Sequence, residues 1–163
     1  RLAISVGCNP GTTVGEYVPF NFCPRSVMLY ILHMGNHPEL EYKGGQRPIL
    51  HLEADLMKVV HWCRTEKRVW AFSTSNARAR YSLFYNDLAN LRRIDWQAIA
   101  ARDFRQAAAK DAKQAEFLVY AQFPWALVER IGVYDREIAA QTTAALHCAP
   151  HRPIVSAQRD WYY

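Results

Sequence analysis

What is scarce in this chain narrows its function first. Cysteine occurs four times, at 8, 23, 63 and 148, with no CxxC spacing, which argues against a zinc ribbon and a dense disulfide framework. Free thiols in a reducing cytoplasm are the reading that fits. Seven glycines and eight prolines fall in no repeating period, so collagen-like and low-complexity architectures are excluded. No stretch approaches the roughly 18 apolar residues of a membrane span, and no basic-then-apolar leader opens the chain. Signatures of familiar chemistry are missing as well: there is no GxSxG, no Walker loop and no HExxH. The first residue is Arg1 rather than Met. The chain is therefore expected to be processed or to lack its beginning.

What is present is a folding chain of 163 residues, 50% hydrophobic and 13% aromatic, enough to bury one core without staples. No internal repeat or domain boundary is visible. The net charge of +5 is concentrated: Arg64 to Lys113 holds eleven bases against five acids, and the remainder nine against ten. A concentrated positive field gathers polyanions and speeds their encounter. On charge alone, nucleic-acid binding and an ordinary solvated face remain equally open. Aromatics interleave this segment (Trp62, Trp70, Phe72, Tyr81, Phe84, Tyr85, Trp96 and Phe104). Most are assigned to the core, leaving one or two to stack on bases.

The periodicities predict strands at Val18–Phe22, Ile49–Asp55, Val69–Ser73, Glu116–Tyr120, Ile131–Tyr134 and Ile154–Ala157. Helices are predicted at Val27–His33 behind a Ser26 N-cap, Leu56–Cys63 behind Asp55, Arg80–Leu91, a short one behind Asp95, and Arg136–Leu146. Arg102–Gln114 reads either as a weak alanine-rich helix or as a mobile loop. Strands and helices mix without a βαβ rhythm or a glycine-rich phosphate fingerprint, which favours an α+β fold.

Three groups of residues invite chemistry. Glu116 opens an apolar strand directly after the basic segment, where a carboxylate can act as general base or stabilise a developing cation; a salt bridge to Lys113 fits as well. His51, Glu53 and Asp55 alternate with Leu50, Leu52, Ala54 and Leu56. They read first as the polar outer face of a half-buried strand, and second as a hard-metal or nuclease-like cluster with Glu116. His147, Cys148 and His151 are close in sequence, but Pro150 prevents a helix from setting them on one face. Gly35 and Pro38 likewise separate His33 from His37 as ligands. No metal site is expected.

Ordered motifs carry a resemblance. They are Gly15-Glu16-Tyr17-Val18-Pro19-Phe20-Asn21-Phe22-Cys23-Pro24-Arg25-Ser26-Val27-Met28-Leu29-Tyr30, then His51-Leu52-Glu53-Ala54-Asp55-Leu56 and Phe84-Tyr85-Asn86-Asp87-Leu88. Lys113-Gln114-Ala115-Glu116-Phe117-Leu118-Val119, Phe123-Pro124-Trp125 and Asp160-Trp161-Tyr162-Tyr163 follow. Together they resemble the DarT family of DNA ADP-ribosyltransferase toxins over essentially the whole chain.

The resemblance implies an α+β, ADP-ribosyltransferase-like fold, with a central β-sandwich and flanking helices. It implies one domain over 1–163 that lacks the family's N-terminal segment, whose His and Asn hold the nicotinamide half of NAD. The implied activity splits NAD as co-substrate and attaches ADP-ribose to a base, commonly thymine, in single-stranded DNA. The implied partner is a DarG-type macrodomain antitoxin, and the setting is cytoplasmic, without a membrane. The catalytic glutamate falls on Glu116. The NAD-anchoring arginine falls at or beside Arg1, and Arg25 and Met28 fall near the DNA-facing cleft. Arg102–Gln114 falls on the family's substrate-contacting loop, giving Lys110 and Lys113 the role of phosphate contacts. Asn21 stands where the family commonly has an aromatic, and a frequent family histidine is replaced around Ser75-Asn76. Two alternatives stand beside this reading: a metal-dependent nuclease using Glu53, Asp55 and Glu116, and a non-catalytic single-stranded nucleic-acid-binding module.

Overall fold

The computed structural model describes residues 3–79 and 81–163, and the chain divides into two units, Arg1–Cys23 with Val60–Phe123 and Pro24–Val59 with Pro124–Tyr163. In chain order the elements are β1 (Tyr17–Asn21), α1 (Val27–Met34), β2 (His51–Glu53), α2 (Leu56–Thr65), β3 (Trp70–Asn76) and β4 (Phe84–Tyr85). After them come α3 (Trp96–Ala100), α4 (Ala107–Ala112), β5 (Ala115–Tyr120), β6 (Arg130–Val133), α5 (Arg136–Ala145) and β7 (Ile154–Ala157). Arg1, which carries the expected NAD contact, lies outside the described residues.

In the first unit an antiparallel sheet runs β1-β5-β3-β4. β5 lies between two strands, so Phe117, Leu118 and Val119 are all buried and the strand reads as an unbroken apolar run. Leu118 joins Val6, Val14, Tyr17, Ala71 and Ala77 in one core, while Trp70 and Phe117 stack at 5.5 Å. Asn9 donates to the Trp70 carbonyl and to the Tyr17 hydroxyl, holding the preceding loop to the sheet.

The expected helix over Arg80–Leu91 does not form among the described residues of that stretch. Phe84 and Tyr85 pair instead with Ser73 and Phe72 on β3. Asp87 then accepts from the Ala89 N–H and opens a 3-10 turn at Leu88–Arg93. A free strand edge for two aromatic residues outweighs a modest helical stripe interrupted by a capping residue.

In the second unit the sheet order is β2-β6-β7. β6 and β7 are parallel and joined through α5, so this region does contain a βαβ unit, contrary to the expectation. Ser26 caps α1 by accepting from the Leu29 N–H at 3.1 Å, and Gly35 ends it at a φ of 60°. Asp55 caps α2 through the Lys58 N–H.

The faces of β2 are the reverse of those expected. Leu52 is 47% exposed and Leu50 is exposed as well, whereas His51 points inward against the rings of Trp161 and Tyr162. The cause lies at the chain's other end. The Tyr162 hydroxyl donates to the Ile49 and Gly132 carbonyls, and Trp161 lies where a Cβ at residue 132 would stand, so that position accepts only glycine. Those two rings cover the His51 face and make it the inner one.

Candidate active site

Glu116, the second residue of β5, pairs with Asn21 on β1, half-buried beside an exposed neighbour. On its other side the β3–β5 ladder slips: Phe72 pairs with Phe117, but the next pair is Asn76 with Ala115. The extra residues of β3 bulge away opposite Glu116, removing the main-chain acceptor its N–H would otherwise meet. The buried Ser73 hydroxyl fills that role, accepting from the Glu116 N–H at 3.0 Å while donating to the Ser75 carbonyl at 2.7 Å. A bulge of this kind ends regular pairing and turns a side chain out of the sheet face. Ser73 gave no signal in the sequence, because its role depends on a register shift that periodicity does not encode.

The segment before Glu116 resolves into α4 preceded by extended chain. Lys110 is exposed in the last turn of α4. Lys113, expected to reach a phosphate, does not face solvent. It is 2% exposed, its ammonium donates to the Ile99 carbonyl at 2.6 Å, and it lies 5.7 Å from the centre of the Phe104 ring. A fully desolvated ammonium already holding main-chain oxygen is not available to a backbone phosphate, so Lys113 is not the phosphate contact expected. Among the described bases of the 64–113 segment it alone is buried; the rest form an exposed positive surface. Of the interleaved rings, Trp70, Phe72 and Phe104 are in the core, whereas Tyr81 and Trp96 are exposed.

Arg25 and Met28 fall in the second unit. Arg25 occupies the strand-to-helix junction before α1, its guanidinium 4.3 Å from the centre of the Tyr163 ring. The Tyr163 hydroxyl donates to the Arg25 carbonyl at 2.9 Å, and Gln46 brackets the Tyr163 backbone, accepting from its N–H and donating to its carbonyl. Met28 is 56% exposed in the first turn of α1. In the sequence Tyr163 stands out only as part of a terminal motif; its grip on Arg25 spans 138 residues and leaves no local trace.

The carboxylates in and just after β2 are engaged elsewhere. Glu53 pairs with Arg130 at 2.8 Å, and Asp55 caps α2. Among the described residues no three His, Cys, Asp or Glu side chains gather as a metal-binding group. His151 meets the Val128 carbonyl at 2.6 Å, and His147 contacts the adjacent Cys148 sulfur.

The comparisons with known proteins give the class, an ADP-ribosyltransferase acting on DNA. The sequence model of the family described as "ssDNA thymidine ADP-ribosyltransferase, DarT" matches residues 1–163. A DNA ADP-ribosyl transferase of Thermus aquaticus is 43% identical over 166 aligned residues, covering 100% of this chain and 70% of the relative. Among solved structures, Thermus sp. 2.9 DarT in complex with ADP-ribosylated ssDNA superimposes with a TM-score of 0.91 at 37% identity, covering 100% of this chain and 76% of that one. Thermus sp. 2.9 DarT in complex with NAD+ gives a TM-score of 0.84 at 32% identity, covering 98% and 87%. The chain belongs to the DarT family.

Proposed function

We propose that this protein transfers ADP-ribose from NAD to thymine in single-stranded DNA, with Glu116 as its catalytic residue. One observation carries the assignment of Glu116: a half-buried carboxylate stands where β3 leaves the ladder, its own backbone fixed by Ser73. The donor set suits NAD chemistry, which asks for a carboxylate held beside the reacting sugar. When bound, NAD supplies an ADP-ribosyl group whose sugar gains positive character as nicotinamide departs. The Glu116 carboxylate opposes that charge electrostatically and is positioned to take a proton from the attacking base nitrogen. Ser73 limits how far the Glu116 backbone can shift, so the carboxylate needs little reorganisation in the transition state.

Arg25, steadied by Tyr163, offers a planar guanidinium to DNA, and the exposed Met28 thioether a soft contact to bases. Lys110 supplies an exposed phosphate contact. Arg1 is assigned to NAD on the family resemblance. The setting in this reading is a cytoplasmic toxin restrained by a DarG-type macrodomain partner. Within the described residues, no helix is long and apolar enough to cross a membrane.

The test is mass spectrometry of thymidine-bearing oligonucleotides after incubation with NAD. The wild-type protein adds the mass of one ADP-ribose. Glu116→Gln loses this while still binding the oligonucleotide; a variant that modifies DNA at the wild-type rate overturns the assignment.

A further inference from the structure

A buried ammonium three residues before the catalytic carboxylate calls for a physical reason, since desolvating a lysine is unfavourable unless its charge is well satisfied. Lys113 is satisfied by three separate stretches of chain. Its Nζ donates to the Ile99 carbonyl in the last turn of α3, where helix carbonyls lack partners and the dipole favours a cation. The buried Phe104 ring faces the same ammonium. The Cys23 thiol, just beyond β1, is hydrogen-bonded to Lys113, which offsets part of the upward push that burial gives the thiol.

The backbone around Lys113 is fastened too. Its N–H donates to the Ala109 carbonyl and closes α4, and the Gln114 side chain joins the Lys110 carbonyl to Asn76 on β3. The stretch from α3 through α4 is thus anchored at the residue where it turns into β5, and the anchor is a charge.

We propose that Lys113 is a positioning residue, whose buried ammonium ties the end of α3 and Phe104 to the turn entering Glu116 and so sets how the 102–112 segment meets the DNA base. This rests on the reading of Glu116 and that segment as transferase machinery. Lys113 touches neither DNA nor NAD; it acts through the segment it braces. The substrate it helps to select is the base, not the phosphate.

Lys113→Met keeps most of the side-chain volume and removes the donor. The kcat for DNA modification is expected to fall about 10- to 100-fold, the scale of a small misplacement of reacting groups, with the KM for the oligonucleotide within about two-fold. Amides of residues 100–112 exchange faster with solvent deuterium. The salt dependence of oligonucleotide binding stays at the wild-type slope, whereas Lys110→Met lowers it by about 0.7. A wild-type kcat in Lys113→Met, or a lowered slope with raised KM, overturns the proposal.

Should Lys113→Met fail to fold, reductive methylation of the wild-type protein decides. Lys110 is modified, and Lys113 stays unmodified with or without oligonucleotide. Ready methylation of Lys113 in the free protein, blocked by oligonucleotide, sinks the idea. A Glu116→Gln variant that kept full activity would overturn the assignment of Glu116 alone, leaving the exchange and labelling results to report on the brace.

Discussion

β5 and β2 both carry a glutamate, but β5 is otherwise an apolar run whereas β2 alternates, and the two end in different environments. β5 lies between β1 and β3 and is buried on both faces along Phe117–Val119. β2 lies at the edge of its sheet, paired only with β6, and turns His51 inward and Leu52 outward. Alternation states which residues share a face. It does not state which face is covered, and the covering chain for β2 arrives more than a hundred residues later as Trp161 and Tyr162. The two glutamates differ accordingly. Glu53 is held in an ordered ladder and paired with Arg130, while Glu116 stands where its ladder slips.

The largest expected effect separates those glutamates. Glu116→Gln should lower kcat/KM for DNA modification by about 10²- to 10⁴-fold, the range for removing a positioned acid–base or electrostatic group. Glu53→Gln should stay within about three-fold, since it loses one half-exposed ion pair. Equal losses in steady-state assays would erase the distinction drawn between the strands.

His51 tests the inward face of β2. Burial lowers its pKa from 6.5 to about 4, and one ring nitrogen is buried without a hydrogen-bond partner among the described residues. The aromatic rings of Trp161 and Tyr162 face it, and the Glu53–Arg130 pair shares its sheet face. The unfolded chain binds the proton more readily, so this stability is fully present above pH 6.5 and is lost as pH falls from 6.5 towards 4. Allowing for partial exposure, it amounts to about 2 kcal/mol. Denaturant midpoints measured across that window should fall in the wild type and flatten in His51→Phe; parallel curves would place His51 in water.

Ser73→Ala strips the Glu116 N–H of its acceptor and should lower unfolding stability by about 1–3 kcal/mol. Its kcat for transfer should fall with it, because the strand is loosened at the carboxylate's own residue. Unchanged values in both assays would make the bulge incidental to the site. At the small end, Leu52→Ser removes an exposed apolar side chain and should change stability by no more than about 0.5 kcal/mol. A fall of several kcal/mol in chemical denaturation would mean that Leu52, rather than His51, faces the core.

Much of the architecture is legible residue by residue. Ser26, Asp55 and Asp95 cap the helices expected to follow them, each accepting from an N–H three residues on. Glu116 could be singled out because a carboxylate at the mouth of an apolar strand beside a basic segment is locally conspicuous. Phe84-Tyr85 misled because a stripe of apolar residues fits a helix or a strand until a partner edge is known. Lys113 misled for a related reason: lysine's usual place is in water, and only the Ile99 carbonyl and the Phe104 ring reverse that preference.

By itself the sequence determined α1, α2, α3 and α5 with their starts, the apolar run of β5, the concentrated positive charge and the family to which the chain belongs. Those features rest on hydrogen bonds a few residues apart, on composition, or on the order of motifs. Only the tertiary structure decided the β3 bulge opposite Glu116, the burial of the Lys113 ammonium, the parallel pairing of β6 with β7 and the inward turn of His51. Each of these depends on a partner brought close by folding, and the free energy of a buried charge or an unpaired N–H is set by what surrounds it, not by its neighbours along the chain.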